Sequence, residues 1–126
     1  IALKNLLPQL NNKALPIILP ITDDERMQKI TRYLEKNLGE PITLTGLSKH
    51  FNMSERSMSR LFQACLHISF LQYFKTLRMI KAIEMILKTA KPIGDIAFEV
   101  GYDTVGAFSN AFYTFTHSRP SDFRKG

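Results

Sequence analysis

Between Ile93 and Phe112 the chain reads Ile93-Gly94-Asp95-Ile96-Ala97-Phe98-Glu99-Val100-Gly101-Tyr102-Asp103-Thr104, then Val105-Gly106-Ala107-Phe108-Ser109-Asn110-Ala111-Phe112. Ile93, Ile96, Ala97 and Val100 recur at helical spacing, and Gly101 stops the helix. Phe108, Ala111, Phe112 and Phe115 begin a second apolar stripe. This predicts helix, tight turn, helix. Ala97 is small where a second helix must cross closely, and Gly101 adopts a left-handed turn without a Cβ penalty. About fifty residues earlier the pattern occurs once already: Leu47, Ser48, Phe51 and Asn52 match Ile96, Ala97, Val100 and Gly101. Asparagine is the next-best residue for a left-handed turn. Met58-Ser59-Arg60-Leu61-Phe62 matches Phe108-Ser109-Asn110-Ala111-Phe112, with His67 and His117 each nine residues past the start of those runs. The second turn is one residue longer. Each copy needs its own small residue, turn former and apolar stripe, so the repeat is far more specific than a single helix-turn-helix.

The other elements follow from spacing and punctuation. Leu3, Leu6, Leu7 and Leu10 predict a short helix, and Pro16 and Pro20 bracket an extended Ile17-Ile18-Leu19. Residues 1–22 are read as a linker or the remnant of an upstream domain, because the chain begins at Ile1 rather than at a methionine. Asp23, Asp24 and Glu25 open a supporting helix with Met27, Ile30, Tyr33, Leu34 and Leu38 as its stripe, ended by Gly39 and Pro41. Thr43 caps a helix to about Phe51, and Ser54 opens the next, to about Leu66. Ser69 caps the longest uninterrupted stretch, Phe70 to about Lys88, a spacer of roughly 28 Å at 1.5 Å per residue. Pro120 starts a closing turn whose Phe123 plugs the core. The expectation is all-α: a first helix-turn-helix over about 44–66, a connecting helix over about 69–88 and a second helix-turn-helix over about 93–116.

With 17 Lys and Arg against 11 Asp and Glu, the net charge of +6 favours a polyanionic partner. Cys65 is the only cysteine, which excludes an internal disulfide and a thiolate zinc site, and its neighbours Leu61, Leu66 and Ile68 predict a buried thiol in a reducing compartment. No apolar run reaches the roughly twenty residues that span a bilayer, so a cytoplasmic protein with no membrane partner is expected.

The signature Ile93-x-x-Ile96-Ala97-x-x-x-Gly101-Tyr102, Phe108-Ser109-x-x-Phe112 and Arg119-Pro120-Ser121-x-Phe123-Arg124 resembles the C-terminal DNA-binding domain of the AraC/XylS transcriptional regulators. The resemblance covers about Asp23 to Lys125. It implies about seven helices in two homeodomain-like helix-turn-helix lobes joined by a long helix, and a sensor or dimerisation domain upstream in some members. Two departures stand out: His67 and His117 occupy places where the family usually has glycine, and Asn110 one where the second recognition helix is usually basic.

Duplex DNA is therefore the expected partner. A recognition helix enters the major groove with the N-terminal part of its exposed face, where arginine can bind guanine O6 and N7 together. Arg56 and Arg60, with Ser59 between them, share one face of the first recognition helix. In the second copy the corresponding positions are Val105, Gly106, Ser109 and Asn110, of which Asn110 has a fork suited to adenine. Phosphate contacts are expected at helix starts near Thr43, Ser54, Ile93 and Thr104, and from Lys49, Lys75, Arg78, Lys91 and Arg124. A rival reading is a helical interaction module docking on an acidic partner such as RNA polymerase. For an enzyme, the chain lacks a nucleophile with its base, paired carboxylates, a phosphate-cradling loop and metal-ligand spacing. His50, His67 and His117 read as loop or cap residues, and no cofactor is implied.

Overall fold

Five helices start on a side chain that accepts a backbone N–H three residues on. In the computed structural model, which describes residues 2–5 and 18–125, Asp24 opens α1 (Glu25–Lys36), Thr43 opens α2 (Leu44–His50) and Ser54 opens α3 (Glu55–Leu66). Ser69 opens α4 (Phe70–Lys88) and Thr104 opens α6 (Val105–Thr116). Each cap satisfies an N–H that the helix cannot pair internally. α5 (Ile93–Glu99) begins at Pro92 without such a cap, and α7 (Pro120–Lys125) is a helical turn and a half rather than a simple turn. α3 and α6 both end on histidine in the left-handed conformation, His67 at φ 60° and His117 at φ 61°.

The connecting helix is less a spacer than a shared core. Along α4, Phe70, Phe74 and Leu77 are buried at one end and Ile83 and Ile86 at the other, while Thr76, Met79 and Ala82 are buried between them. A helix buried around most of its circumference is a core element. Its first half meets α1 and α3, where Phe62 packs edge-on against Phe70 and Tyr73 at ring-centre distances of 5.8 and 5.9 Å. Its second half carries α5 and α7, beside an aromatic series Tyr102, Phe108, Phe112 and Phe123 with successive centres 5.6, 5.7 and 5.3 Å apart. Phe62, Phe108 and Phe112 are fully buried.

The leader departs from expectation. Ala2–Asn5 (β1) and Ile18–Ile21 (β2) form an antiparallel pair in which Leu3 lies opposite Pro20, so Leu3 is in a strand and not a helix. The leucine spacing is a local signal, and pairing with residues thirteen or more positions away overrides it. Leu6, Leu7, Leu10 and Ile17 lie outside the described residues. Ile18 and Leu19 are extended as expected, and Leu19 and Pro20 are buried on the first lobe, beside α3 and α4.

Candidate nucleic-acid interface

The two turns are built alike. Asn52 takes φ 55° and Gly101 φ 96°. One residue later, Met53 N–H donates to the Ser48 carbonyl and Tyr102 N–H to the Ala97 carbonyl, each at 2.9 Å. Ser48 and Ala97 are 2% and 0% exposed, and those small side chains let α3 and α6 cross closely over α2 and α5. Each turn fixes its recognition helix with one face in the core and the other in solvent.

On α3, Met58, Phe62 and Leu66 face inward, while Arg56, Ser59 and Arg60 are exposed. Neither arginine has an ion pair or hydrogen bond among the described residues. Glu55, on the same helix, accepts from the Thr45 hydroxyl at 2.8 Å and so ties the start of α3 to α2. On α6, Phe108, Phe112 and Thr116 are buried, Val105, Gly106 and Asn110 are exposed, and Ser109 is half-buried.

Several cations named for phosphate contact are committed elsewhere. The half-buried Arg78 donates from Nε to the Leu38 carbonyl at 3.0 Å and from Nη2 to the Glu40 carbonyl at 2.8 Å, with its guanidinium 4.2 Å from the Phe74 ring centre. Burial pulls its pKa down, opposed by Tyr102 and Asp103. Its guanidinium also fills the space beside Gly101, where a Cβ would lie 2.5 Å from Nη2. Arg78 therefore joins the α1–α2 connection of one lobe to the turn of the other. Arg124 donates to the carbonyls of Ile86, Thr89 and Lys91, closing the end of α4. Lys91 pairs with Glu99 at 2.8 Å. Lys49 and Lys75 are exposed, and Thr43, Ser54 and Thr104 are exposed caps at helix starts. Ile93 is half-buried at the start of α5.

Arg119 is the residue that sequence reasoning placed in the signature but not in the site. It is exposed, and its Nη1 donates to Asn110 Oδ1 at 3.1 Å and to Ser109 Oγ at 3.3 Å, on the outer face of α6. The repeat itself carried the signal: Arg119 stands where the first copy has Ser69. The histidines are structural. His50 stacks on Tyr33 at 4.2 Å, and His67 and His117 close helices. Cys65 is half-buried rather than buried, and desolvation, with the nearby Asp24 charge, raises its thiol pKa from the ordinary value of 9.0.

Two recognition helices on one continuous core define a two-headed helix-turn-helix protein. The helix-turn-helix domain family model matches residues 47–126. The chain belongs to this AraC-type family of DNA-binding transcriptional regulators, a fold and family of regulators rather than enzymes. It is 34% identical over 105 residues to the HTH-type transcriptional regulator GbdR of Pseudomonas aeruginosa, matching 83% of this chain and 29% of that protein. The C-terminal domain of AraT, a response regulator from Geobacillus stearothermophilus, superposes with TM-score 0.76 at 33% identity, over 81% of this chain and 85% of that one. The DNA-binding domain of AdpA, solved in complex with a target DNA, shares the fold with TM-score 0.75 at 20% identity, over 81% and 92% of the two chains. No helix among the described residues is long and apolar enough to cross a membrane.

Proposed function

We propose that this chain binds duplex DNA sequence-specifically in the bacterial cytoplasm, setting α3 and α6 into successive major grooves on one face of the helix to regulate transcription. The observation that carries the proposal is the pair of uncommitted guanidinium groups of Arg56 and Arg60 on the exposed face of α3. They offer bidentate donors to guanine, with Ser59 beside them. Val105, Gly106, Ser109 and Asn110 form the corresponding surface of the second head. The starts of α2, α3, α5 and α6, at Thr43, Ser54, Ile93 and Thr104, face phosphates with unpaired N–H groups, supported by Lys49 and Lys75. Arg78, Lys91 and Arg124 serve this surface by holding helix ends and lobes in place. A sensing or dimerisation domain belongs to the same proposal, supported by a relative of which this chain matches only 29%.

The test is a salt series with random and selected duplexes. Neutralising about six phosphates gives a log–log slope of affinity against salt near −5, and selected sites bind more tightly than random ones at every salt concentration. A slope near zero refutes the proposal and leaves a protein-interaction module.

A further inference from the structure

Arg119 and Ser69 occupy the same place in the two copies, yet do different things. Ser69 caps α4 by accepting from Gln72 N–H at 3.1 Å. Arginine has no acceptor to offer, and its side chain extends back over α6. There Nη1 is shared between Asn110 Oδ1 and Ser109 Oγ, and Cζ lies 4.8 Å from the centre of the Tyr113 ring. In the first lobe the corresponding place is an open hollow of about 480 Å³ whose lining includes Ser59, Gln63 and Ser69, the counterparts of Ser109, Tyr113 and Arg119. The second lobe fills that place with a fixed positive charge.

Two consequences follow for what α6 presents. Nε and Nη2, the edge of the guanidinium that forms a bidentate fork, have no acceptor among the described residues. Arginine is a donor only, so it also fixes the Asn110 amide: Oδ1 accepts from Arg119, and Nδ2 has no acceptor among the described residues. Asparagine alone would offer an acceptor and a donor side by side, the match for adenine. With Oδ1 engaged, the pair presents a row of donors, the match for guanine N7 and O6. The basic residue absent from position 110 is supplied from the α6–α7 turn.

We propose that Arg119, seated on Asn110, Ser109 and Tyr113, is the guanine-reading residue of the second recognition surface, with Asn110 as its positioning residue. The proposal rests on the two-headed DNA-binding reading above. It is tested by selection from randomised duplexes with the parent chain and the variants Arg119→Ala, Arg119→Lys and Asn110→Ala, each checked for unchanged melting. The parent should return a guanine in the second half-site, preferred ~10-fold or more over other bases. Arg119→Ala should abolish that preference and leave the first half-site unchanged. Arg119→Lys should keep the salt slope of the parent yet lose most of the guanine preference, because a lysine keeps the charge without the fork. Asn110→Ala should weaken the preference without replacing it by adenine. The proposal is overturned by a second half-site without guanine, by a parent-like Arg119→Ala profile, or by an Arg119→Ala loss equal on all sequences, which would mark a phosphate contact. A parent chain that selects no sequence would sink DNA recognition as a whole. Failure of Arg119 alone would leave the first half-site sharp.

Discussion

Replacing Arg78 with alanine separates a residue that binds phosphate from one that holds the two heads together. The substitution removes two charge-assisted hydrogen bonds, to Leu38 O at 3.0 Å and Glu40 O at 2.8 Å, and a guanidinium 4.2 Å from the Phe74 ring centre. Such bonds contribute about 1.5–3 kcal/mol each when buried, and cation–π contact about 0.5–2 kcal/mol. Arg78 is only half-buried, so water replaces part of what is lost, and Glu40 O keeps the Ile42 N–H at 2.8 Å. Taking the lower end of each range gives a loss of about 3.5 kcal/mol, a large fraction of the 5–15 kcal/mol typical of a folded domain. With a urea slope of about 1–3 kcal/mol per molar, the unfolding midpoint should fall by about 1–3.5 M. Arg78→Lys should recover less than half of this, because one ammonium cannot span both carbonyls in the same geometry. Both variants should be followed by urea unfolding and by a salt series on DNA. A midpoint shifted by less than about 0.3 M, together with a salt slope reduced by about one, would refute the structural account and make Arg78 a phosphate ligand.

Arg56→Ala and Arg60→Ala should each weaken specific DNA binding by ~1–3 kcal/mol with little change in thermal stability, and equal losses on random duplexes would reassign them to phosphates. His67→Gly and His117→Gly should each raise stability by about 0.5–1 kcal/mol in urea unfolding, because relief of a left-handed non-glycine conformation outweighs the entropy glycine adds to the unfolded chain. A destabilised His117→Gly would show that the His117 ring, 6.4 Å from that of Tyr113, contributes more than its backbone costs. Burial, reinforced by Glu35, pushes the Tyr73 phenol above its ordinary value of 10.0, and burial raises Tyr102 despite Arg78. A raised folded-state pKa contributes stability that is present below pH 10 and lost as pH rises beyond it. Unfolding midpoints should therefore fall above pH 10, and Tyr73→Phe should flatten that fall.

What the sequence made legible was whatever a residue does to its own neighbourhood. Asn52 and Gly101 mark the two turns because few residues tolerate positive φ, and Thr43, Ser54, Ser69 and Thr104 mark helix starts because a short side chain reaches an N–H three residues on. Arg56 and Arg60 were legible as exposed residues for the same reason, the helix period alone setting which face they occupy. Long side chains were not. Arg78, Arg119 and Arg124 each find partners nine to forty residues away in sequence, and nothing local distinguishes an arginine that lies on a carbonyl from one that faces solvent. The leader failed in the same way, as the partners of β1 lie in β2 and not in the next turn.

Gly39 approaches the second lobe so closely that a Cβ there would meet the Glu99 carbonyl oxygen at 2.9 Å. With Arg78 beside it and α4 sunk into both halves of the core, the two heads have no hinge between them. Under the proposed mode of binding, this makes the protein a rigid gauge: the separation of α3 and α6 is set by the packed core around α4 rather than by a flexible link, whereas successive turns of major groove lie about 34 Å apart. Any difference between the two spacings is then taken up by the more compliant partner, which is the duplex. Base pairs between the half-sites, touched by no side chain, then govern affinity through how readily they kink, and flexible pyrimidine–purine steps there favour binding where a stiff A-tract opposes it.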